Sequence, residues 1–150
     1  MTTPSKTIHS YEPRKGHGLA HDPIASIVGP RPIGWISSRS EDGQLNLAPY
    51  SFFNLFNYKP PIVAFSSVGF KDTIRNVQAT REFVVNLATR ALAEQVNLSS
   101  ASVSSDVNEF DLTGLSPVKS QIVAAPRVGE SPVNLECKVL QIQQLAGLVV

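Results

Sequence analysis

A chain of 150 residues, 42% of them hydrophobic, can bury one core of ordinary size, and a single domain spanning 1–150 is the expectation. Thirteen basic residues stand against twelve acidic ones, so no bulk field favours nucleic acid or an anionic membrane, and affinity for any anion must come from local placement. The single cysteine, Cys137, excludes an intramolecular disulfide and a multi-cysteine metal site.

In chain order, Met1 to His9 is polar and lacks the basic-then-apolar pattern of a secretory signal. With no apolar run long enough to span a bilayer, the expectation is a soluble, cytoplasmic protein. The stretch 1–22 reads as an irregular N-terminal arm that carries all three histidines, His9, His17 and His21. Gly18 lies between the closest two and no acidic partner offers itself, so exposed histidines are expected there rather than metal ligands.

Ile33 to Ser38 predicts a first strand, and Gln44 to Ala48 a second, joined through a turn with Asp42-Gly43 at its end. Pro49 is expected to stop the pairing. The aromatic run Tyr50 to Tyr58 follows, then Pro60 and Pro61 introduce a third strand, Ile62 to Ser67. Beyond Gly69, Asp72 or Thr73 is the expected N-cap of a short helix that places Ile74 and Val77 on one face. Phe83 to Ala88 predicts a fourth strand. Thr89 is a cap for a second helix with Leu92 and Val96 on one side, and Ser99 to Ser105 is a loop. Asn108 to Pro117 looks irregular with brief ordered stretches, and Val133 to Gln143 alternates as a half-buried strand does. Five or six strands with two short helices suggest a small antiparallel barrel with helices packed outside.

No GxGxxG, Walker, HExxH, CxxC or GxSxG pattern is present, and no pair of carboxylates is recognisable from spacing. A chain without a side-chain apparatus of its own fits chemistry borrowed from a cofactor.

Three segments, Arg31 to Ser38 (RPIGWISS), Asn46 to Asn54 (NLAPYSFFN) and Phe65 to Asn76 (FSSVGFKDTIRN), are followed in order by Glu82 to Leu87 (EFVVNL) and Glu130 to Cys137 (ESPVNLEC). Together, from about Asp22 to Gln143, the chain resembles the flavin-reductase-like FMN-binding family. The resemblance implies a split antiparallel β-barrel with short helices outside, usually a homodimer, that holds FMN non-covalently and is often reduced by NADH or NADPH. Electrons would pass to a second flavin, a partner monooxygenase or another acceptor; the alternative is a flavin-binding electron carrier without nicotinamide activity. Hydride chemistry at flavin N5 needs no catalytic side chain.

A flavin requires a flat slot, hydrogen-bonding groups for its pyrimidine edge and donors for its phosphate. In that reading Trp35, Ile36, Ser37 and Ser38 flank the ring, while Asn46, Ala48, Pro49, Tyr50 and Ser51 approach from the next strand. The competing reading is a barrel whose inward residues happen to be aromatic. Ser66, Ser67, Lys71 and Thr73 are the phosphate-end candidates, with the helix N-terminus adding donors. Lys71 could equally be a solvated charge, and Asp72 would repel phosphate unless it caps the helix or pairs with a cation. Arg31 and Arg75 are second-tier candidates. Asn86, which interrupts an apolar strand, is expected to be hydrogen-bonded in the core or to face the pocket, and Cys137 to pack as a small hydrophobe. Relatives usually continue beyond the equivalent of Gln143, so the apolar end LAGLVV suggests either a shortened chain or a last strand buried by a partner subunit.

Overall fold

The computed structural model describes residues 8–145 and the backbone of 148–149. Arg31 closes one compact unit and Pro32 opens another. In the first, a 3-10 turn at Pro13–Lys15 precedes helix α1 (Ile24–Ile27). His9 Nε2 bonds the His17 carbonyl at 2.8 Å, and the Arg31 guanidinium donates to the carbonyls of Ala25 and Val28.

The second unit begins with β1 (Gly34–Arg39) and β2 (Leu45–Tyr50), a hairpin closed by residues 40–44, in which Gly43 N–H bonds the Ser40 carbonyl at 3.1 Å. The loop therefore exceeds two residues. Pro49 does not stop the pairing: it lies opposite Trp35, and the ladder runs on to Gly34–Tyr50. β2 is an edge strand, where a missing N–H breaks no ladder bond on the open side. The aromatic run is itself a strand, β3 (Phe53–Tyr58), which pairs with β4 (Pro61–Ser67). A bulge between Leu55 and Asn57 leaves Phe56 unpaired and 71% exposed.

Helix α2 (Asp72–Thr80) leads into β5 (Glu82–Leu87). Lys71 is its N-cap, not Asp72 or Thr73, and no side chain caps it. Ile74 and Val77 share the buried face as expected. Thr89 is the N-cap of a 3-10 turn, its carbonyl accepting from Leu92 N–H at 3.1 Å while its side chain makes no cap bond, and α3 (Ala93–Leu98) follows. The stretch expected to be irregular contains α4 (Glu109–Thr113), capped by the Asn108 side chain accepting from Phe110 N–H at 3.0 Å. A two-stranded ribbon, β6 (Pro117–Val118) and β7 (Arg127–Val128), precedes β8 (Asn134–Lys138), which is shorter than the predicted strand. Its alternation holds only in part, because Val133 and Leu135 are exposed. β9 (Gln143–Gln144) and β10 (Leu148–Val149) complete the described chain, and Ala146, Gly147 and Val150 of the apolar end lie outside the described residues.

The order β2-β1-β5-β8 forms one antiparallel sheet and β3-β4-β10-β9 the other. Between them, Ile36, Tyr50, Phe65, Phe83 and Val85 pack with Ile74 and Val77 of α2. Burying such a side chain contributes roughly 1.5–3 kcal/mol. Gly34 is required where the sheets approach, since a Cβ there would lie 2.6 Å from the Phe53 ring. On the far face of the first sheet, Trp35 and Leu47 pack against Phe110, Leu115 and Val128. Both faces of β1 are therefore covered. Among the described residues no helix is long and apolar enough to cross a membrane.

Candidate functional site

The β1–β2 register sends Asn46, Ala48 and Tyr50 to one face of β2, with Leu47 and Pro49 on the other. Helix α2 lies against the first face. Asn46 Nδ2 donates to Thr73 Oγ1 at 2.8 Å, and Asn76 Nδ2 donates to Ser38 Oγ at 3.1 Å. Because Ser38 and Asn46 are register partners, two side-chain bonds from adjacent strands fix one side of the helix.

The start of α2 is open. Gly69, at φ 82°, turns the chain from β4 toward the helix in a conformation that suits glycine. The first helical backbone bond runs from Arg75 N–H to the Lys71 carbonyl at 3.0 Å, so the amides of Asp72, Thr73 and Ile74 precede the ladder. Lys71 has no side-chain acceptor to cap them. The Asp72 carboxylate accepts from Arg75 at 2.6 Å. The positive end of the helix dipole is therefore left without an internal cap; Thr73 and Ile74 are buried there, while Lys71, which precedes them, is exposed and has no ion-pair partner among the described residues.

Beneath this terminus, Ser67 Oγ donates to the Gly69 carbonyl at 3.0 Å. The Tyr50 ring packs 4.9 Å from Phe65. Its hydroxyl is buried next to Thr73 and Ser67 and completes a hydrogen bond with neither. Burial pushes the phenol above its ordinary range, against the pull of those two hydroxyls. Nearby, Glu109 accepts from Leu47 N–H at 3.0 Å; burial raises its carboxyl, and the Asp72 charge adds to the rise.

The opposite face of the first sheet is saturated. Asn86 donates to the Trp35 carbonyl and to Ser37 Oγ, each at 3.0 Å, and accepts from Val128 N–H at 2.9 Å and Asn134 Nδ2 at 2.8 Å. Ser37 in turn donates to the Pro126 carbonyl, and the Trp35 indole donates to Ser99.

A flavin reductase like domain model matches residues 29–150. The chain belongs to that family. It is 43% identical over 120 residues to an uncharacterized protein of Aquifex aeolicus, covering 77% of this chain and 61% of the relative. The chain thus spans about three fifths of that curated relative's length. Among solved structures, component B of nitrilotriacetate monooxygenase from Bacillus cereus superposes with a TM-score of 0.84 at 26% identity, covering 97% of this chain and 78% of that one. A protein with a split barrel domain from Shewanella frigidimarina gives 0.75 at 26% identity, covering 79% and 61%. The two sheets with helices outside are a split β-barrel of the flavin reductase-like type.

The residues singled out from the sequence separate into layers. Trp35, Ile36, Ser37 and Ser38 are fully buried, with both faces of β1 covered. Asn46, Tyr50, Ser67 and Thr73 are also buried and meet beneath the start of α2. Ala48, Pro49, Ser51 and Ser66 are half-buried, and Lys71 is exposed. Arg75 and Arg31 hold groups on their own segments, Asp72 and the α1 carbonyls respectively. Cys137 is half-buried against the core, its thiol raised to about 11 by burial, which leaves it a poor nucleophile at neutral pH. Asn76 and Glu109 were not singled out. Asn76 had a signal, since it lies three residues after Thr73 and hence on the same helix face; Glu109 had none.

Proposed function

We propose that this chain binds FMN and acts as a flavin-dependent oxidoreductase, accepting hydride from NADH or NADPH and passing electrons to a second flavin or a partner protein. The observation that carries this reading is the uncapped N-terminus of α2, where three amides precede the helical ladder beside the exposed Lys71 while Asp72 is held by Arg75. The phosphate would be held by those amides, the Thr73 hydroxyl and Lys71, with Ser66 and Ser67 at the adjoining end of β4. The half-buried Ala48, Pro49 and Ser51 would flank the ring, with Trp35 to Ser38 stiffening the strand behind them. The buried, unpartnered Tyr50 hydroxyl supports the fit.

Bound FMN would supply hydride acceptance at N5 and one-electron transfer. The chain's own part is to anchor the phosphate, fix the ring's orientation and keep water from one of its faces, with no side-chain acid or base. Family membership supports the redox reading, and the likeness to a monooxygenase component B supports a partner monooxygenase as acceptor. A homodimer is part of the proposal: Leu55, Phe56 and Tyr58 are exposed on the edge strand β3, an arrangement that favours burial against a second copy.

The test is an absorption spectrum of the purified protein before and after FMN titration, followed by gel filtration with light scattering and by NADH and NADPH oxidation assays. Flavin bands that co-elute with a dimer and turn over nicotinamide are the expected result. Retained flavin without turnover favours the electron carrier. No retained flavin at saturating FMN overturns the reading, and a monomer mass removes the dimer.

A further inference from the structure

Tyr50 is 6% exposed and its hydroxyl has no hydrogen-bond partner, although phenylalanine would fill the same place against Phe65 without stranding a polar atom. The hydroxyl lies beside Thr73, at the start of the nine-residue helix α2. A threonine hydroxyl has one proton and two acceptor positions. Asn46 fills one acceptor position of Thr73 at 2.8 Å. Ser67, the other neighbour, directs its proton to the Gly69 carbonyl and has none for a ligand. Thr73 is therefore the buried hydroxyl at this terminus whose proton remains to be placed, and Tyr50 is the donor that can fill its second acceptor position.

We propose that Tyr50 is a positioning residue for a flavin phosphate: its hydroxyl donates to Thr73 Oγ1, so that Asn46 and Tyr50 together direct the Thr73 proton onto a phosphate oxygen at the open start of α2. The inference rests on the FMN reading above and adds to it a discrimination between phosphorylated and unphosphorylated flavin. The unpartnered hydroxyl is retained because it acts when the anion is bound. Tyr50 itself touches neither phosphate nor ring.

The test compares FMN with riboflavin, which lacks the phosphate, by flavin fluorescence titration of the dimeric or monomeric protein as purified. Wild type should bind FMN more tightly than riboflavin. Tyr50→Phe should weaken FMN about two- to tenfold, as expected for the loss of one hydrogen bond between neutral groups, and leave riboflavin unchanged. Its ligand-free melting temperature should equal or exceed that of wild type, because a stranded hydroxyl has been removed. Thr73→Val should also weaken FMN selectively, Thr73→Ser should restore it, and Tyr50→Phe should add nothing in the Thr73→Val background.

An unchanged FMN-to-riboflavin ratio in Tyr50→Phe overturns the inference and leaves the FMN reading standing. An equal loss for both ligands also overturns it, since that marks a core effect. Should Tyr50→Phe not fold, wild-type selectivity in Thr73→Val overturns the relay, which then has no output. A wild-type chain that binds neither ligand, or both equally, removes the phosphate-site reading and the inference with it.

Discussion

The two faces of the β2-β1-β5-β8 sheet treat buried polar groups in opposite ways. On one, Asn86 makes four hydrogen bonds that tie β1, β7 and β8 together, and every bond is internal to the protein. On the other, around the start of α2, Tyr50 has an unmade bond, Thr73 has a proton to place, and three helix amides lie ahead of the ladder. A buried network with all its partners rigidifies a fold, whereas one with partners missing is costly unless something from outside completes it. The saturated network is therefore where stability resides, and the unsaturated face is where the proposed ligand would complete the bonding.

The largest effect is expected at the saturated face. Asn86→Ala would strand the buried Val128 amide and take one bond each from the Trp35 carbonyl, Ser37 and Asn134, which keeps the Val128 carbonyl at 3.3 Å, at a cost of about 3–5 kcal/mol. Urea unfolding measures this directly. A loss below about 1 kcal/mol would mean that the hub is not the fold's fastening, and the contrast between the faces would fail. Ser99→Ala sharpens the contrast by orphaning a group that is now paired: the Trp35 indole N–H, 2.9 Å from the Ser99 hydroxyl, would lose its acceptor. The expected cost is about 1–2 kcal/mol, read as a shift in the urea midpoint with no change in slope. Neither substitution should alter discrimination between FMN and riboflavin, which separates both from Tyr50→Phe.

Much of the frame was legible in local pattern. β1, β4 and β5 follow from short β-branched or aromatic runs between glycines and prolines, and the buried face of α2 follows from the spacing of Ile74 and Val77. The continuation of β2 through Pro49 was not legible, because a proline is tolerated there only by virtue of the strand's edge position, which long-range pairing decides. The partners of Ser37 and Ser38 were not legible for a related reason. Two hydroxyls at a strand end read as ligand donors, yet they bond residues 89 and 38 positions away, Pro126 and Asn76. A polar side chain's partner in the interior is set by topology, and no window of sequence contains it. The phosphate-end candidates gather at a helix start, which is a local event. Even there, that Asp72 leaves the first-turn amides for Arg75 depended on side-chain geometry.

The smallest expected effect concerns Glu109, which joins the two faces. Its carboxylate accepts the Leu47 amide at 3.0 Å, while the Asp72 charge reaches it from the start of α2. Burial is the main cause that raises its carboxyl above the ordinary 4.5, and the Leu47 amide pulls the other way. A raised value means that the folded state binds the proton more tightly than the unfolded chain does. The contribution to stability is therefore present in full below 4.5 and is lost as pH rises through the folded value. Glu109→Gln keeps an oxygen for the Leu47 amide and removes the charge. Its stability should match wild type in acid and exceed it at neutral pH, with the difference opening above the ordinary carboxyl value and then levelling. Urea midpoints taken from about pH 4 to about pH 8 would trace that window. A difference independent of pH would show that the carboxylate is not held against its preference, while one that opens only after Asp72→Asn would reverse the sign assigned to the Asp72 charge. Because the Glu109 charge also reaches Tyr50 beneath the start of α2, Glu109→Gln should also tighten FMN slightly at neutral pH and leave riboflavin unmoved, so that a group joining the two faces reports on the ligand proposed for one of them.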